Sequence, residues 1–86
     1  MEKYLRALEH IKHLMTITSQ SNDDYVIKRL CLNDYVAQVD GVIATAIYDP
    51  DITMDDFGAV HAKAQDVAKY GRRWIEDCVT KEARGK

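Results

Sequence analysis

Apolar side chains recur every three or four residues along most of this chain, and that spacing predicts α-helices. Two interruptions divide the pattern: the polar stretch 18–22, and the segment from Asp49 to Thr53, which contains the only proline, Pro50. Pro50 biases the residue before it away from helical geometry and ends a helix there. The pattern therefore predicts one domain, 1–86, with helices at about 2–18, 23–48 and 54–81.

The first predicted helix is amphipathic and has a single apolar stripe. That stripe is formed by Tyr4, Leu8, Ile11 and Met15. Charged side chains and histidines occupy the opposite side, so the helix should rest on a core by one side only. After the polar stretch, Asp23 and Asp24 are expected in the first turn of the second helix, where the helix dipole favours negative charge.

The second predicted helix differs because it carries two apolar stripes, roughly 130° apart at about 100° per residue. The first stripe is Tyr25, Leu32, Val36, Val39, Ile43 and Ala46, joined by Tyr35, Val42 and Ile47. The second is Val26, Leu30, Ala37, Gly41, Ala44 and Tyr48. A helix exposed to water on one side would not need both stripes, so we predict a middle helix with a neighbour on each flank. Close approach of the second neighbour would explain Gly41, which costs ~1 kcal/mol relative to alanine.

The third predicted helix begins with Thr53 as its N-cap and Asp56 as the capping-box partner. Its apolar positions alternate by three and four residues and form a coiled-coil-like seam. The seam is Phe57, Val60, Ala64, Val67, Gly71, Trp74 and Cys78. Because the turn at Pro50 is short, the second and third helices should pack as an antiparallel hairpin.

The predicted helices differ in length, and the difference bears on assembly. At ~1.5 Å per residue the second and third are ~40 Å long and the first ~25 Å, so the first cannot cover the hairpin. A chain of 86 residues also has a small core. We therefore predict an all-α, three-helix arrangement built on a long antiparallel helical hairpin and completed as a dimeric helical bundle. Docking of a different protein on the uncovered surface is the alternative.

Composition and charge exclude several classes of protein. Apolar residues make up 47% and charged residues 30%, the balance of a folded domain and not of a disordered tail. The formal charge of -2 gives no net attraction to nucleic acid or anionic lipid. Charges interrupt the first residues, and no apolar stretch approaches the ~20 residues that a membrane span needs. We expect a cytoplasmic protein without membrane association.

Cysteines and two of the histidines are the first candidates for chemistry. Cys31 and Cys78 lack the spacing of a zinc or redox motif and occupy apolar positions, so they are interpreted as buried thiols. The hairpin would place them at similar heights, which leaves a regulatory disulfide as an alternative. His10 and His13 have the spacing of a metal clamp but no third ligand nearby in sequence, and a solvated pair is the favoured interpretation.

His61 is interpreted as a border residue of the seam, with an acid–base role as the alternative. The four acidic residues near the turn are Asp49, Asp51, Asp55 and Asp56. They lack the central glycine and the final glutamate of a calcium loop, so turn and helix-N-terminal roles explain them better than a cation site. The chain has no phosphate loop and no nucleophile elbow. We predict no enzyme, catalytic residue, metal or cofactor; a small all-α enzyme or a metal-binding protein is kept as an alternative.

The last thirty residues or so are locally basic. The basic residues are Lys63, Lys69, Arg72, Arg73, Lys81, Arg84 and Lys86. Asp66, Glu76, Asp77 and Glu82 are interleaved at helix-pair spacings, which indicates a solvated face and dilutes attraction to phosphate. A nucleic-acid-associated accessory protein is therefore an alternative function and not the leading one.

The leading interpretation is a small non-enzymatic helical protein that binds another protein, as a regulator, adaptor or inhibitor, and forms a homodimer. Such short helical inhibitors would suit a phage or another mobile element. Aromatic and arginine side chains contribute strongly to interfaces. The candidate partner-binding residues are Tyr35, Tyr48, Tyr70, Arg72, Arg73 and Trp74. Tyr70 lies on the polar side of the third helix, so we expect it to be exposed.

Overall fold

The computed structural model describes residues 2–85 and contains three helices. Their bounds are α1 Glu2–Gln20, α2 Tyr25–Ile47 and α3 Met54–Arg84. Each helix contacts the other two, and together they form an elongated bundle of 50 × 17 × 15 Å. The predicted all-α, three-helix fold is confirmed. Of the residues singled out above, Lys86 lies outside the described part of the chain.

The helices α2 and α3 form the long antiparallel hairpin. Arg29 near the start of α2 pairs with Glu82 near the end of α3, and Val36 lies beside Gly71 further along. The helix α1 packs against both members of this hairpin, on one side of it. Its first residues lie at the α2–α3 turn, where the Tyr4 hydroxyl donates a hydrogen bond to the carboxylate of Asp49.

The starts of α1 and α3 agree with the predicted bounds, and the other four helix ends differ from them by one to three residues. The helix α2 begins at Tyr25 because Asp24 is its N-cap and accepts a hydrogen bond from the Val26 backbone N–H at 2.7 Å. The prediction that Asp23 and Asp24 occupy the first turn was therefore wrong. At the start of α3 the predicted N-cap is confirmed, since the Thr53 hydroxyl accepts from the Asp56 N–H at 3.1 Å, but residues 2–85 show no return bond from the Thr53 N–H to the Asp56 carboxylate.

One hydrophobic core runs between the three helices. The predicted stripe of α1 is buried over its whole length, and the seam of α3 is buried or half-buried. The helices lie close together at Gly71, where a Cβ atom would lie 2.7 Å from Met15 Cε and 2.8 Å from Val36 Cγ2. Such distances are well inside van der Waals contact, so a residue without a side chain is needed at this point of the core.

The core contains one charged residue, Lys28. Its Nζ atom donates a hydrogen bond to the Ser19 carbonyl at 3.2 Å and lies 5.3 Å from the centre of the Tyr25 ring. The last turn of α1 has no basic residue of its own. Lys28 therefore supplies the positive charge that the carboxyl end of a helix favours, and the bond ties α1 to α2 across the connecting loop.

The helix α2 contacts both α1 and α3, but its second stripe is exposed, which corrects the prediction that this stripe packs against a second neighbour. Leu32, Val39 and Ala46 of the first stripe are buried, whereas every member of the second stripe is exposed. The reason is that α1 and α3 also contact each other. Three mutually contacting helices share a single core, so each presents only one side to it, and among residues 2–85 nothing packs on the second side of α2.

Candidate protein-interaction surface

The most unusual surface of the molecule is the side of α2 that points away from the core. We define this outer face by seven positions, the second stripe together with the intervening asparagine: Val26, Leu30, Asn33, Ala37, Gly41, Ala44 and Tyr48. All seven are exposed, and the exposed fraction reaches 57% for Leu30 and 86% for Tyr48. The outer face therefore presents mainly apolar or small residues to solvent for the length of the helix.

The outer face belongs to a larger concentration of exposed apolar side chains. Within residues 2–85, nine large apolar side chains are exposed, and six of them belong to α2 or its C-cap. The six are Tyr25, Val26, Ile27, Leu30, Ile47 and Tyr48. They are grouped at the two ends of the helix, whereas its middle carries the small residues Ala37, Gly41 and Ala44. The helix therefore has bulky apolar ends and a flat centre.

A groove of about 760 Å³ runs beside the outer face, between α1 and α2. Its lining is Lys3, Tyr4, Ala7, His10, Ile11, Gln38, Gly41, Val42 and Thr45. Gly41 belongs to both the groove and the outer face, and a Cβ atom built on it would find no neighbour within 4 Å. The predicted reason for this glycine, close approach of a neighbouring helix, is therefore not met by any contact inside the chain.

Two carboxylates border the outer face on opposite sides. At about 100° per residue, Asp34 and Asp40 lie ~60° to either side of Ala37. Gln38 donates a hydrogen bond to Asp34 at 3.1 Å, and Asp40 borders a crevice between α2 and α3. The polar residues of α2 thus lie along the borders of the face and leave its middle apolar, apart from Asn33.

Tyr48 is the one predicted partner-binding residue that lies on the outer face, where it caps the carboxyl end of α2. Tyr35 and Trp74 are half-buried and pack against the core. Leu30, Ala37 and Gly41 were not among the predicted partner-binding residues, because their stripe was assigned to a contact within the chain. The signal that identifies them is the second stripe itself.

The expectation that Tyr70 is exposed was wrong. Its side chain is half-buried against α1, and its hydroxyl is 2.6 Å from Thr16 Oγ1. The hydrogen bond with Thr16 is the main reason that the pKa of Tyr70 is lowered. Lys12 lies 5.2 Å from the ring centre. The polar side of α3 is thus partly covered by α1, which no pattern within α3 could indicate.

Arg72 and Arg73 are both exposed, but they face different surroundings. Arg72 borders the crevice between α2 and α3, a space of about 410 Å³. Asp40, His61 and Gln65 also line that crevice above an apolar floor. Arg73 borders a separate hollow with Tyr70, Trp74 and Asp77. Two other basic residues of α3 are paired, Lys63 with Glu9 and Lys81 with Asp77, which reduces the positive charge available to a polyanion.

The groups considered for metal or redox chemistry are dispersed. Within residues 2–85 no three His, Cys, Asp or Glu side chains are arranged to hold a metal ion. His10 and His13 are both exposed on α1. Cys31 and Cys78 are free thiols, and burial raises the pKa of Cys78.

The acidic turn has a structural explanation centred on Asp49. This carboxylate accepts hydrogen bonds from the Tyr4 hydroxyl and from the Asp51 backbone N–H, the latter at 2.9 Å. Lys3 lies 3.5 Å away as an ion-pair partner. The Tyr4 hydrogen bond is the main reason that the pKa of Asp49 is lowered. Asp49 therefore holds the turn together and anchors α1 to it.

No helix in the part of the chain that the structure describes is both long and apolar enough to cross a membrane. No known protein family, curated protein or solved structure matches this chain.

Proposed function

We propose that this protein is a non-enzymatic interaction protein, a regulator, adaptor or inhibitor, that binds another polypeptide through the outer face of α2. The observation that carries this proposal is the exposure of the second apolar stripe along the whole helix. A surface helix of a monomer normally has a polar outer side, and a helix that is apolar all round is normally buried. A partner seated on the outer face would give α2 the environment that its sequence favours.

The free energy for such binding comes from removing apolar surface from water, at about 25 cal/mol per Å². Contiguous exposed apolar surface of this kind marks interaction sites in soluble proteins. The two large side chains near its ends, Leu30 and Tyr48, are the anchors we expect, since each is more than half exposed. The small residues between them allow a partner backbone to come close.

A photo-crosslinking experiment tests the site. A photoreactive amino acid replaces Ala37 at the centre of the outer face, and in a matched variant it replaces Ala62, an exposed alanine of α3. After irradiation in cells, we expect a discrete covalent adduct with one polypeptide from position 37 and none from position 62. The adduct is identified by mass spectrometry, so a second copy of the chain and a different protein are distinguished.

Absence of any discrete adduct from position 37, or equal adducts from both positions, would contradict the proposed use of the outer face. As a second measurement, Leu30→Asp in the chain that carries the photoreactive residue at position 37 should abolish the adduct. Circular dichroism should show unchanged helix content in the Leu30→Asp variant, because Leu30 is 57% exposed and contributes little to the core.

A further inference from the structure

The outer face of α2 has a spacing that is the same in both directions. Its seven positions are 26, 30, 33, 37, 41, 44 and 48, so the intervals are four, three, four, four, three and four residues. This series is a palindrome centred on Ala37. A copy of the helix that runs in the opposite direction therefore presents the same rows of side chains at the same heights.

We propose that the partner of the outer face is a second copy of this chain, packed antiparallel so that the two-fold axis passes beside Ala37. This inference rests on the proposed function and specifies its partner. In this arrangement Leu30 of each copy faces Ala44 of the other, Asn33 faces Gly41, and Ala37 faces its own equivalent. Large residues thus meet small ones at the inner pairs, which is what interdigitation of two helices requires.

The position opposite Leu30 also has the form of a hole. Residues at i, i+3, i+4 and i+7 surround a depression on a helix surface into which a side chain of a facing helix can fit. On α2 the residues 41, 44, 45 and 48 have this spacing, and they are Gly41, Ala44, Thr45 and Tyr48. The mean height of these four residues matches that of Leu30 in the antiparallel copy. Gly41 leaves the hole open, because apart from the adjoining backbone of α2 no atom of the described residues lies within 4 Å of the position of its missing Cβ.

A parallel orientation of the two copies fits less well. In a parallel pair each residue would face its own equivalent, so Leu30 would meet Leu30 and Tyr48 would meet Tyr48, whereas Gly41 would face Gly41 and leave a void. Voids and overpacked positions both destabilise an interface. The large ends and the small centre of α2 therefore favour the antiparallel orientation.

The charged residues that border the outer face are also compatible with a second copy packed on it. An antiparallel two-fold arrangement brings each border of the outer face against the same border of the other copy. Asp40 then has the same height as Asp34 of the second copy but lies on the opposite border of the face, and its neighbour on its own border is Asn33. No carboxylate on these borders faces another carboxylate, so the pairing avoids the repulsion that like charges at short range would cause.

The available area approaches the lower limit of a specific dimer. The stretch from residue 26 to 48 is ~33 Å long, and a helix with its side chains is ~12 Å wide, which gives a footprint of ~400 Å² per copy. Ile27 and Ile47, both about half exposed, lie beside this footprint and add apolar surface to it. The total for two copies then approaches the ~1,000 Å² that separates specific interfaces from incidental contacts.

Sedimentation equilibrium of the purified chain at micromolar concentration tests the inference. We expect a particle of two chain masses for the native protein and for Ala62→Arg, and of one chain mass for Ala37→Arg. The last variant would place two buried guanidinium groups against each other at the two-fold axis. Both alanines are exposed, so neither change disturbs the core of a single chain.

Disulfide crosslinking tests the register. In a Cys31→Ser background, where the remaining Cys78 is only 3% exposed, Ala37→Cys should form a disulfide-linked dimer under mild oxidation. Ala44→Cys should not, because copies of position 44 would be ~21 Å apart, beyond the ~7 Å between Cα atoms that a disulfide tolerates. Equal crosslinking of the two variants would overturn the antiparallel arrangement.

A native chain that sediments as one chain mass throughout the micromolar range would overturn the dimer. If the photoreactive residue at position 37 then captured a different protein in cells, the proposed function would stand without the second copy. If the photoreactive residue captured no protein, both the dimer and the proposed function would be contradicted.

Discussion

Leu30 and Leu32 are two residues apart on the same helix, yet their environments are opposite. Leu32 is fully buried between α1 and α3, whereas Leu30 is 57% exposed on the outer face. The stripes to which they belong are both apolar, so α2 is close to equally hydrophobic on its two sides. The comparison shows that apolar character alone does not decide which side of a helix forms the core.

The same contrast appears in the glycines Gly71 and Gly41, each in the middle of a long helix. At Gly71 a Cβ atom would collide with side chains of both neighbouring helices, and at Gly41 it would meet nothing. Glycine in a helix interior costs ~1 kcal/mol relative to alanine. Contacts inside the chain offset this cost at Gly71. At Gly41 no contact among the described residues offsets the cost of glycine, whereas packing against a second copy would.

The largest expected difference between the two sides is for Leu32→Ala against Leu30→Ala. Leu32→Ala removes buried methyl groups and leaves a cavity, and we expect a loss of about 2–5 kcal/mol in the free energy of unfolding. Leu30→Ala should cost no more than ~0.5 kcal/mol, as for most surface substitutions. Urea denaturation at a concentration where the chain sediments as one chain mass measures both. Similar losses would show that the two stripes are not distinct environments.

The two glycines give the next largest difference. Gly71→Ala should lower the free energy of unfolding by about 1–2 kcal/mol, because overpacking of the core exceeds the gain in helix propensity. Gly41→Ala should raise it by up to ~1 kcal/mol in a single chain, since only the propensity gain remains. Thermal and urea denaturation at low concentration should show shifts of opposite sign. A stable Gly71→Ala variant would mean that the Met15 side chain can move aside.

The tyrosines give a smaller difference. Tyr70→Phe removes the hydrogen bond with Thr16 between α1 and α3, and we expect a loss of about 1 kcal/mol. Tyr48→Phe is the matched control, because the Tyr48 side chain is 86% exposed, and its hydroxyl should contribute nothing measurable to a single chain. In a double-mutant cycle, the changes in the free energy of unfolding caused by Tyr70→Phe and Thr16→Val should not be additive, whereas those of Tyr48→Phe and Thr16→Val should be. Additive changes for the first pair would contradict a direct hydrogen bond.

The smallest effect concerns pH and compares Asp49 with its exposed neighbour Asp51. The lowered pKa of Asp49, caused first by the Tyr4 hydrogen bond, means that its contribution to stability is fully present above the unfolded value of about 3.9. That contribution is lost as the pH falls through the lower value of the folded state. Asp49→Asn should therefore make the decline of stability below pH ~4 shallower. Asp51→Asn is the matched removal of an exposed carboxylate from the same turn, and a slope for Asp49→Asn equal to that of the native protein would remove this role.

Much of the fold could be predicted from the sequence because it depends on local patterns. The α1 stripe from Tyr4 to Met15 and the α3 seam are each the only wide apolar arc of their helix, so there was one way for each to face the core. The Thr53 hydroxyl makes this residue a favourable N-cap. Pro50 ends the helix that precedes it, because proline biases the residue before it away from helical geometry. Such features need no information from distant residues.

The candidate site was less predictable because it depends on what other helices leave uncovered. Tyr70 lies on the polar side of α3, but its partner Thr16 is 54 residues away, and that contact is absent from any local pattern. The arginines at 72 and 73 could be predicted as exposed, whereas the crevice that Arg72 shares with Asp40 and His61 arises only when α2 and α3 pack together.

The sequence by itself determined three helices, the hairpin, and the existence of two apolar sides on α2. Only the tertiary structure decided that Leu32 and Val39 face the core and that Leu30 and Gly41 face solvent. The physical reason is that periodicity records which residues favour burial, not which surface will bury them. With three helices and one shared core, one side of α2 has to remain uncovered, and the palindromic spacing about Ala37 then indicates how a second chain can cover it.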